Sequence, residues 1–542
     1  MQDSPVCEPC LKQTPFCFGQ EPHCGGWASW LRSTFRRGIV TLLCASVFLG
    51  TAGAEMDLRF NTIGRWEPGT AGEGLDLGNV ELLQQGGWTM VLLRWPADEK
   101  TQAFADACGR AGITPVAELG QLKSLIAARD AAASARSAGF DGIALEAGGV
   151  FGEAEPLRDF VRELRGYDVI VFLDEQQIGW DLGGAHVVFA GGLWPGIRSP
   201  PNVPGRGIEV ATASREPWLD GNTFLLGYLR GMFPDRAAVL GYRPNAAAGV
   251  SGGRAVPYAS VEIGLAEAEA AGGNAVLSLP EDYREALLKG DSRALEAWQS
   301  LGETARFLRR HAATLEAPSR SRIAVAAGSL AESGEIVNLL YRRSVFPAVH
   351  PLRGLPVIDP SRFRALVVAN VGQPGKVELR RITGYVRTGG LLVASPADRA
   401  TPKWWLWSEA VKTRSDRDRD HYEFGNGRIV AYHEPILDPS EFALDVIDLV
   451  GVGTRDLRLW NALTVVGLAS GEARSRKAVM ILINYDEAPV ESEFPARLEG
   501  VFRRATIMEP GRDPRRLDAA KRGESTEVSV DGFARIALIE LR

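Results

Sequence analysis

Between residues 56 and 315 the chain repeats one unit: a short run rich in Val, Ile and Leu, a turn, then a longer amphipathic segment. Nine runs qualify as strands, at 58–63, 89–95, 114–119, 142–147, 168–174, 185–190, 207–213, 237–242 and 274–279. Helical periodicity falls between several of them, at 101–111, 124–138 and 155–165. Near-continuous apolar strands alternating with helices are what a parallel sheet with crossover helices requires. Eight or nine such units in a stretch of this length predict a (β/α)8 barrel rather than an open sheet. One candidate is surplus. A long helix over 293–313, with Leu295, Trp298, Leu301, Ala305 and Leu308 on one face, is expected to close the unit.

In such a barrel the C-terminal strand tips and the loops after them surround one mouth, so residues at those tips are the first candidates for chemistry. Gly139-Phe140-Asp141-Gly142 reads as a helix end and a tight turn. The strand that follows, Ile143-Ala144-Leu145, delivers Glu146 at its tip. The next strand delivers Asp174 and Glu175, and the third ends in Glu118. Two facing carboxyl groups, one protonated and one ionised, are what glycosidic-bond hydrolysis needs. Glu146 with Asp174 or Glu175 is the candidate pair, and Glu118 a sugar ligand or third acid. The competing reading for Glu146 is a sugar ligand or a salt-bridged cap, and for Asp174 a helix cap.

Arg94 and Trp95 end the second strand, Trp194 follows the sixth, and Trp218, Asp220 and Asn222 follow the next. Indole faces stack on sugar rings, so these residues are expected to bind substrate. The alternatives are loop packing for the tryptophans and capping of a helix over 223–232 for Asp220 and Asn222. The six histidines are scattered without metal spacing, and no phosphate loop or serine-hydrolase elbow is present. No cofactor or metal is expected.

Glu316-Ala317-Pro318-Ser319-Arg320-Ser321 marks a linker after a barrel domain over 55–317. A second α/β unit is expected over 320–455, with strands at 322–327, 365–370, 391–395 and 428–432 and helices at 334–343, 375–388 and 439–450. Gly389-Gly390 supplies a left-handed helix end before the third of these strands. The unit contains no cysteine, so it lacks the Cys-His-Glu set of a working amidotransferase. The charged run 414–420 reads as a solvated loop. Trp404, Trp405 and Trp407 are expected at an interface or at the edge of a neighbouring subunit's cleft. From 456 onward, strand-like runs at 478–485, 501–508, 525–530 and 534–541 separated by turns predict a β-sandwich.

The chain has 542 residues, too many for one core, and its 45% hydrophobic and 24% charged content is that of a globular protein. A net charge of -6 with no basic stripe argues against nucleic acid as a partner. Arg36-Arg37, the apolar run 38–50 and Thr51-Ala52-Gly53-Ala54 have the three parts of a secretory signal peptide. The expectation is a leader over 1–54, its signal peptide near 31–54 and translation starting at or near Leu31. Cleavage after Ala54 would leave a periplasmic or extracellular product with no stable membrane span. Cys7, Cys10, Cys17 and Cys24 precede that signal, where a zinc module has no use, and only Cys108 follows it.

Arg387-Thr388-Gly389-Gly390-Leu391-Leu392-Val393-Ala394-Ser395-Pro396, and Gly427-Arg428-Ile429-Val430 leading to Asp438-Pro439, together with the order barrel, α/β domain, sandwich, carry a resemblance. In domain order the chain resembles family-42 β-galactosidases, and more broadly bacterial glycoside hydrolases with an amidotransferase-like second domain. That resemblance implies a secreted enzyme hydrolysing glycosidic bonds of a carbohydrate at the barrel mouth, and self-association by architecture. Two motifs depart from it. Family-42 enzymes carry an Asn-Glu pair where this chain has Leu145-Glu146, and a nucleophilic Glu where it has Gly241-Tyr242-Arg243-Pro244. Residues 139–146 are closer to the α-amylase clan and the endo-polygalactosaminidases, whose acid there is usually Asp. The alternative function is a non-catalytic carbohydrate-binding or assembly protein on a degenerate glycosidase barrel.

Overall fold

A computed structural model describes residues 56–68, 72–120, 122–197, 218–219, 222–242, 256–451, 456–471 and 475–542. Eight parallel strands close into a barrel: β1 (Ile63–Arg65), β2 (Met90–Trp95), β3 (Thr114–Leu119), β4 (Gly142–Glu146), β5 (Asp168–Leu173), β6 (His186–Phe189), β9 (Val239–Gly241) and β10 (Asn274–Ser278). Between β6 and β9 two residues each of β7 (Gly196–Ile197) and β8 (Trp218–Leu219) pair antiparallel. The candidate strand 207–213 lies outside the described residues.

Crossover helices follow the strands: α1 (Asn79–Gln85), α2 (Glu99–Arg110), α3 (Leu125–Ser137), α4 (Ala154–Glu163), α5 (Asn222–Met232), α6 (Tyr258–Ala270), α7 (Glu281–Leu288) and α8 (Ser292–Arg310). Their starts are written locally. Asp98 accepts the Thr101 amide at 2.8 Å and Ser124 the Ala127 amide at 3.1 Å, satisfying first-turn donors that have no partner in the helix.

The Gly139–Gly142 motif is a device for joining α3 to β4. Gly139 turns through φ 86°, a region closed to most side chains. Phe140 then buries its ring edge-on against Trp95 at 5.4 Å. Gly142 is needed for closeness: a Cβ there would lie 2.8 Å from the Asp168 carbonyl oxygen of the neighbouring strand.

The expected first strand is displaced. Leu58–Phe60 is a 3-10 turn capped by Asp57, and the strand runs two residues further, to Arg65. Met56 and Leu58 are apolar because they pack into the base of the barrel with Ile63, Met90, Leu92, Val116, Ala144, Ile170, Val188, Val239 and Val276.

From Ser260 onward helix α6 is buried on every side; even Glu262, Glu267 and Glu269 are buried. It lies among α5, α8, β10 and strand Ala478–Asn484 of the C-terminal region. Glu262 accepts from Ser300 at 2.9 Å and Thr304 at 2.6 Å in α8, with Arg535 3.7 Å away. Asn222 and Thr223 of α5 donate to Glu267 at 2.8 and 3.0 Å.

The second unit is a seven-stranded sheet. Five parallel strands, Ala348–Pro351, Ile323–Ala327, Ala365–Val371, Leu391–Pro396 and Gly427–Tyr432, are extended by the antiparallel strands Arg419–Phe424 and Val411–Ser415. The charged run 414–420 is therefore a correction: most of it is strand, not loop. Its charges pair with each other, and Asp420 is buried between Lys412 (2.8 Å), Tyr422 (3.1 Å) and His433 (3.3 Å). Trp404 and Trp405 are likewise core residues, 6% and 1% exposed, rather than an interface. Trp407 packs on Phe424 at 4.6 Å. The last region forms two antiparallel sheets of four and five strands, a sandwich over a core that includes Met480, Phe494, Val528 and Phe533.

Candidate functional site

Side chains alternate along a strand, so the barrel's apolar interior fixes which tip residues face the lumen. Met90 and Leu92 point inward on β2, and Arg94 shares their face. By the same alternation Arg65, Glu118, Glu146 and Ser278 face the lumen at the tips of β1, β3, β4 and β10. Phe172 does so on β5, and Asp174 continues its extended backbone one residue beyond the strand (φ -94°, ψ -179°). Arg94 stands directly beside Glu118, and Glu146 beside Phe172, in the strand register.

The floor of this mouth is one polar assembly. Arg65 reaches past β2, its Nε donating to both Glu118 carboxylate oxygens at 2.8 Å. Its Nη1 donates to Ser278 Oγ at 3.1 Å, and its guanidinium lies 5.0 Å from the centre of the Phe172 ring. The two partners are 14% and 22% exposed, so the pair is only partly screened by water. Arg65 was not a sequence candidate, because the first strand was read as ending at residue 63. Extending that strand's alternation by two residues would have found it.

Arg94 and Glu146 are exposed at the rim. Arg94 makes no hydrogen bond or ion pair among the described residues. Asp174 caps the 3-10 turn Glu175–Gln177: its Oδ1 accepts from the Gln176 and Gln177 amides at 2.9 and 3.2 Å, while Gln177 Oε1 accepts the Asp174 amide at 3.0 Å. Glu175 faces α5. There burial, with a smaller contribution from the Glu175 charge, raises the Tyr228 phenol.

Three of the expected sugar contacts are packed into the protein instead. Trp95 points out of the lumen onto Phe140. Trp194 is fully buried, tilted against Tyr242 at 4.7 Å. Asn222 is fully buried: it accepts the Leu193 amide at 2.8 Å and donates to the Leu193 carbonyl at 2.7 Å, tying the loop after β6 to α5 and α6. The Trp218 side chain and Asp220 lie outside the described residues. The tip of β9 presents Gly241 and Tyr242, with no carboxylate. Among the described residues no group of three or more His, Cys, Asp or Glu side chains is placed to hold a metal ion.

No family model and no curated protein matches this sequence. Solved structures do match. A β-galactosidase from Bacillus circulans sp. alkalophilus superposes with a TM-score of 0.61 at 10% identity, over 89% of this chain and 100% of that one. An α-L-fucosidase isoenzyme from Paenibacillus thiaminolyticus gives 0.57 at 11%, over 90% and 100%. A family-42 β-galactosidase from G. stearothermophilus gives 0.56 at 10%, again over 90% and 100%. The chain has the fold of family-42 β-galactosidases. At these identities the likeness is one of architecture, and it covers barrel, α/β domain and sandwich together. Function is argued from the site.

Proposed function

We propose that the chain is an exported glycoside hydrolase. Glu146 is one catalytic carboxylate and Asp174 the other, and Glu118, oriented by Arg65, is a ligand for sugar hydroxyls. The observation that supports this reading is that Glu118, Glu146 and Asp174 sit at the ends of three consecutive strands on the lumen side of one barrel mouth. Chemically, one carboxyl would protonate the leaving-group oxygen while the other stabilises or attacks the anomeric carbon. A separation of about 5–5.5 Å goes with retention and about 6.5–9.5 Å with inversion. The export leader over 1–54, with cleavage after Ala54, and self-association belong to the same proposal.

A second reading is favoured by the hydrogen bonds themselves. Asp174 spends one oxygen on capping amides, Glu118 is held by Arg65, and the described tip of β9 carries no carboxylate. A carbohydrate-binding or assembly protein on a barrel that has lost its acid pair fits those facts. Hydrolysis of a panel of aryl glycosides and polysaccharides by protein beginning at Glu55, beside Glu146→Gln, separates the two. Turnover abolished by the substitution supports the enzyme. Sugar binding without turnover in either form supports the binding protein. The mass of the exported product's N-terminus tests the cleavage site.

A further inference from the structure

Among the described residues two arginines stand on the lumen face of the mouth, and the strand register gives them different duties. Glu118 stands directly beside Arg94 on the adjacent strand and would be its ordinary ion-pair partner. Arg65 has taken that carboxylate instead, from two strands away, with its own guanidinium lying over Phe172 and donating to Ser278. Arg94 is left exposed at the rim with its guanidinium uncompensated among the described residues. The acids Glu146 and Asp174 lie on β4 and β5, on the far side of β3. With strands about 4.8 Å apart, β2 and β4 are separated by about 10 Å, which a sugar ring and its substituent can bridge. A guanidinium presents a planar fork of donors matched to carboxylate and sulfate oxygens.

Resting on the carbohydrate reading above, we infer that the ligand of this mouth is an anionic saccharide. Its ring substituent, a uronate carboxylate or a sulfate ester, is bound by Arg94 while the sugar linkage lies over Glu146. The shared chemistry is a small oxyanion carried on a sugar ring.

The test is calorimetric titration of Glu146→Gln, chosen to hold ligand without turnover, with three probe sets. These are neutral gluco- and galacto-oligosaccharides, oligogalacturonates and other uronate oligosaccharides, and sulfated galacto-oligosaccharides. The expected result is at least tenfold tighter binding of one anionic set than of the neutral set, weakening as salt rises. Adding Arg94→Gln is expected to abolish that preference, and Arg94→Lys, which keeps the charge but not the fork, to restore part of it. Preference for uronates over sulfates, or the reverse, identifies the oxyanion. Equal or tighter binding of neutral sugars overturns this inference and leaves the carbohydrate reading standing. An anionic preference that survives Arg94→Gln, with circular dichroism unchanged, also overturns it. Binding of no sugar from any set overturns both.

Discussion

Arg65 and Glu118 clasp each other across an intervening strand: the Nε of one meets both carboxylate oxygens of the other at 2.8 Å, beneath the barrel mouth. Removing Glu118 leaves the Arg65 guanidinium partly buried without its carboxylate, and removing Arg65 leaves Glu118 only the exposed Arg94 beside it. Arg65→Met is expected to cost about 1–3 kcal/mol, below the figure for a fully buried pair because both side chains retain some exposure. The double variant Arg65→Met with Glu118→Leu should recover most of that loss. Urea denaturation of the three variants gives the coupling energy. A loss in the single variant that the second change does not relieve would contradict the pairing.

Asp174 caps a 3-10 turn, and the proposed function gives it chemistry as a second, separable duty. Asparagine caps as well as aspartate, whereas alanine forfeits about 1 kcal/mol. Asp174→Asn is therefore expected to unfold within about 0.5 kcal/mol of wild type while losing turnover, and Asp174→Ala to lose both. Full turnover in Asp174→Asn would assign the residue to capping alone.

Asn222 is expected to matter for folding and not for sugar. Asn222→Ala strands the Leu193 amide and carbonyl and removes a donor from the buried Glu267. A cost of roughly 2–4 kcal/mol follows from several unmet buried groups. Thermal unfolding measures it, with saccharide affinity of the folded fraction as the control. Unchanged stability with weakened sugar binding would reverse the assignment.

Glu269 makes stability depend on pH. Burial pushes its carboxyl up to about 8 from an ordinary 4.5, against the opposing pull of Arg309. Between those values the folded chain holds a proton that the unfolded chain has released, so stability falls as pH rises through the window. Glu269→Gln should flatten the profile and exceed wild type by an amount on the order of a few kcal/mol at pH 9. Parallel profiles for the two proteins from pH 5 to 9 would show that the carboxyl titrates normally.

The barrel was legible because parallel strands are buried on both faces and read as unbroken apolar runs. The same physics misplaced its first strand. Leu58 is apolar because it plugs the lumen, and Gly64 breaks the run because Trp88 lies so close that any Cβ would clash with its ring. The positions of Glu146 at the tip of β4 and of Asp174 just past β5 were legible from the strand pattern alone. Trp194 and Asn222 were misread because a buried and an exposed loop residue look alike in one dimension. Their partners, Tyr242 and Glu267, are 48 and 45 residues away. Short or charged strands such as Leu457–Leu459 and Val411–Ser415 were missed because their pairing, not their composition, makes them strands.

Helix α6 carries a consequence for how such a chain can change over evolutionary time. Its faces are claimed at once by the barrel strands, by α8 and by a strand of the C-terminal sandwich. A recombination event that exchanged the sandwich for another module would strip the buried Glu262 of Arg535 and leave mismatched side chains against the helix. The barrel's lineage is thus bound to that of its C-terminal partner. Change has more freedom in the exposed strand Val411–Ser415 at the edge of the second sheet, whose five residues all face solvent.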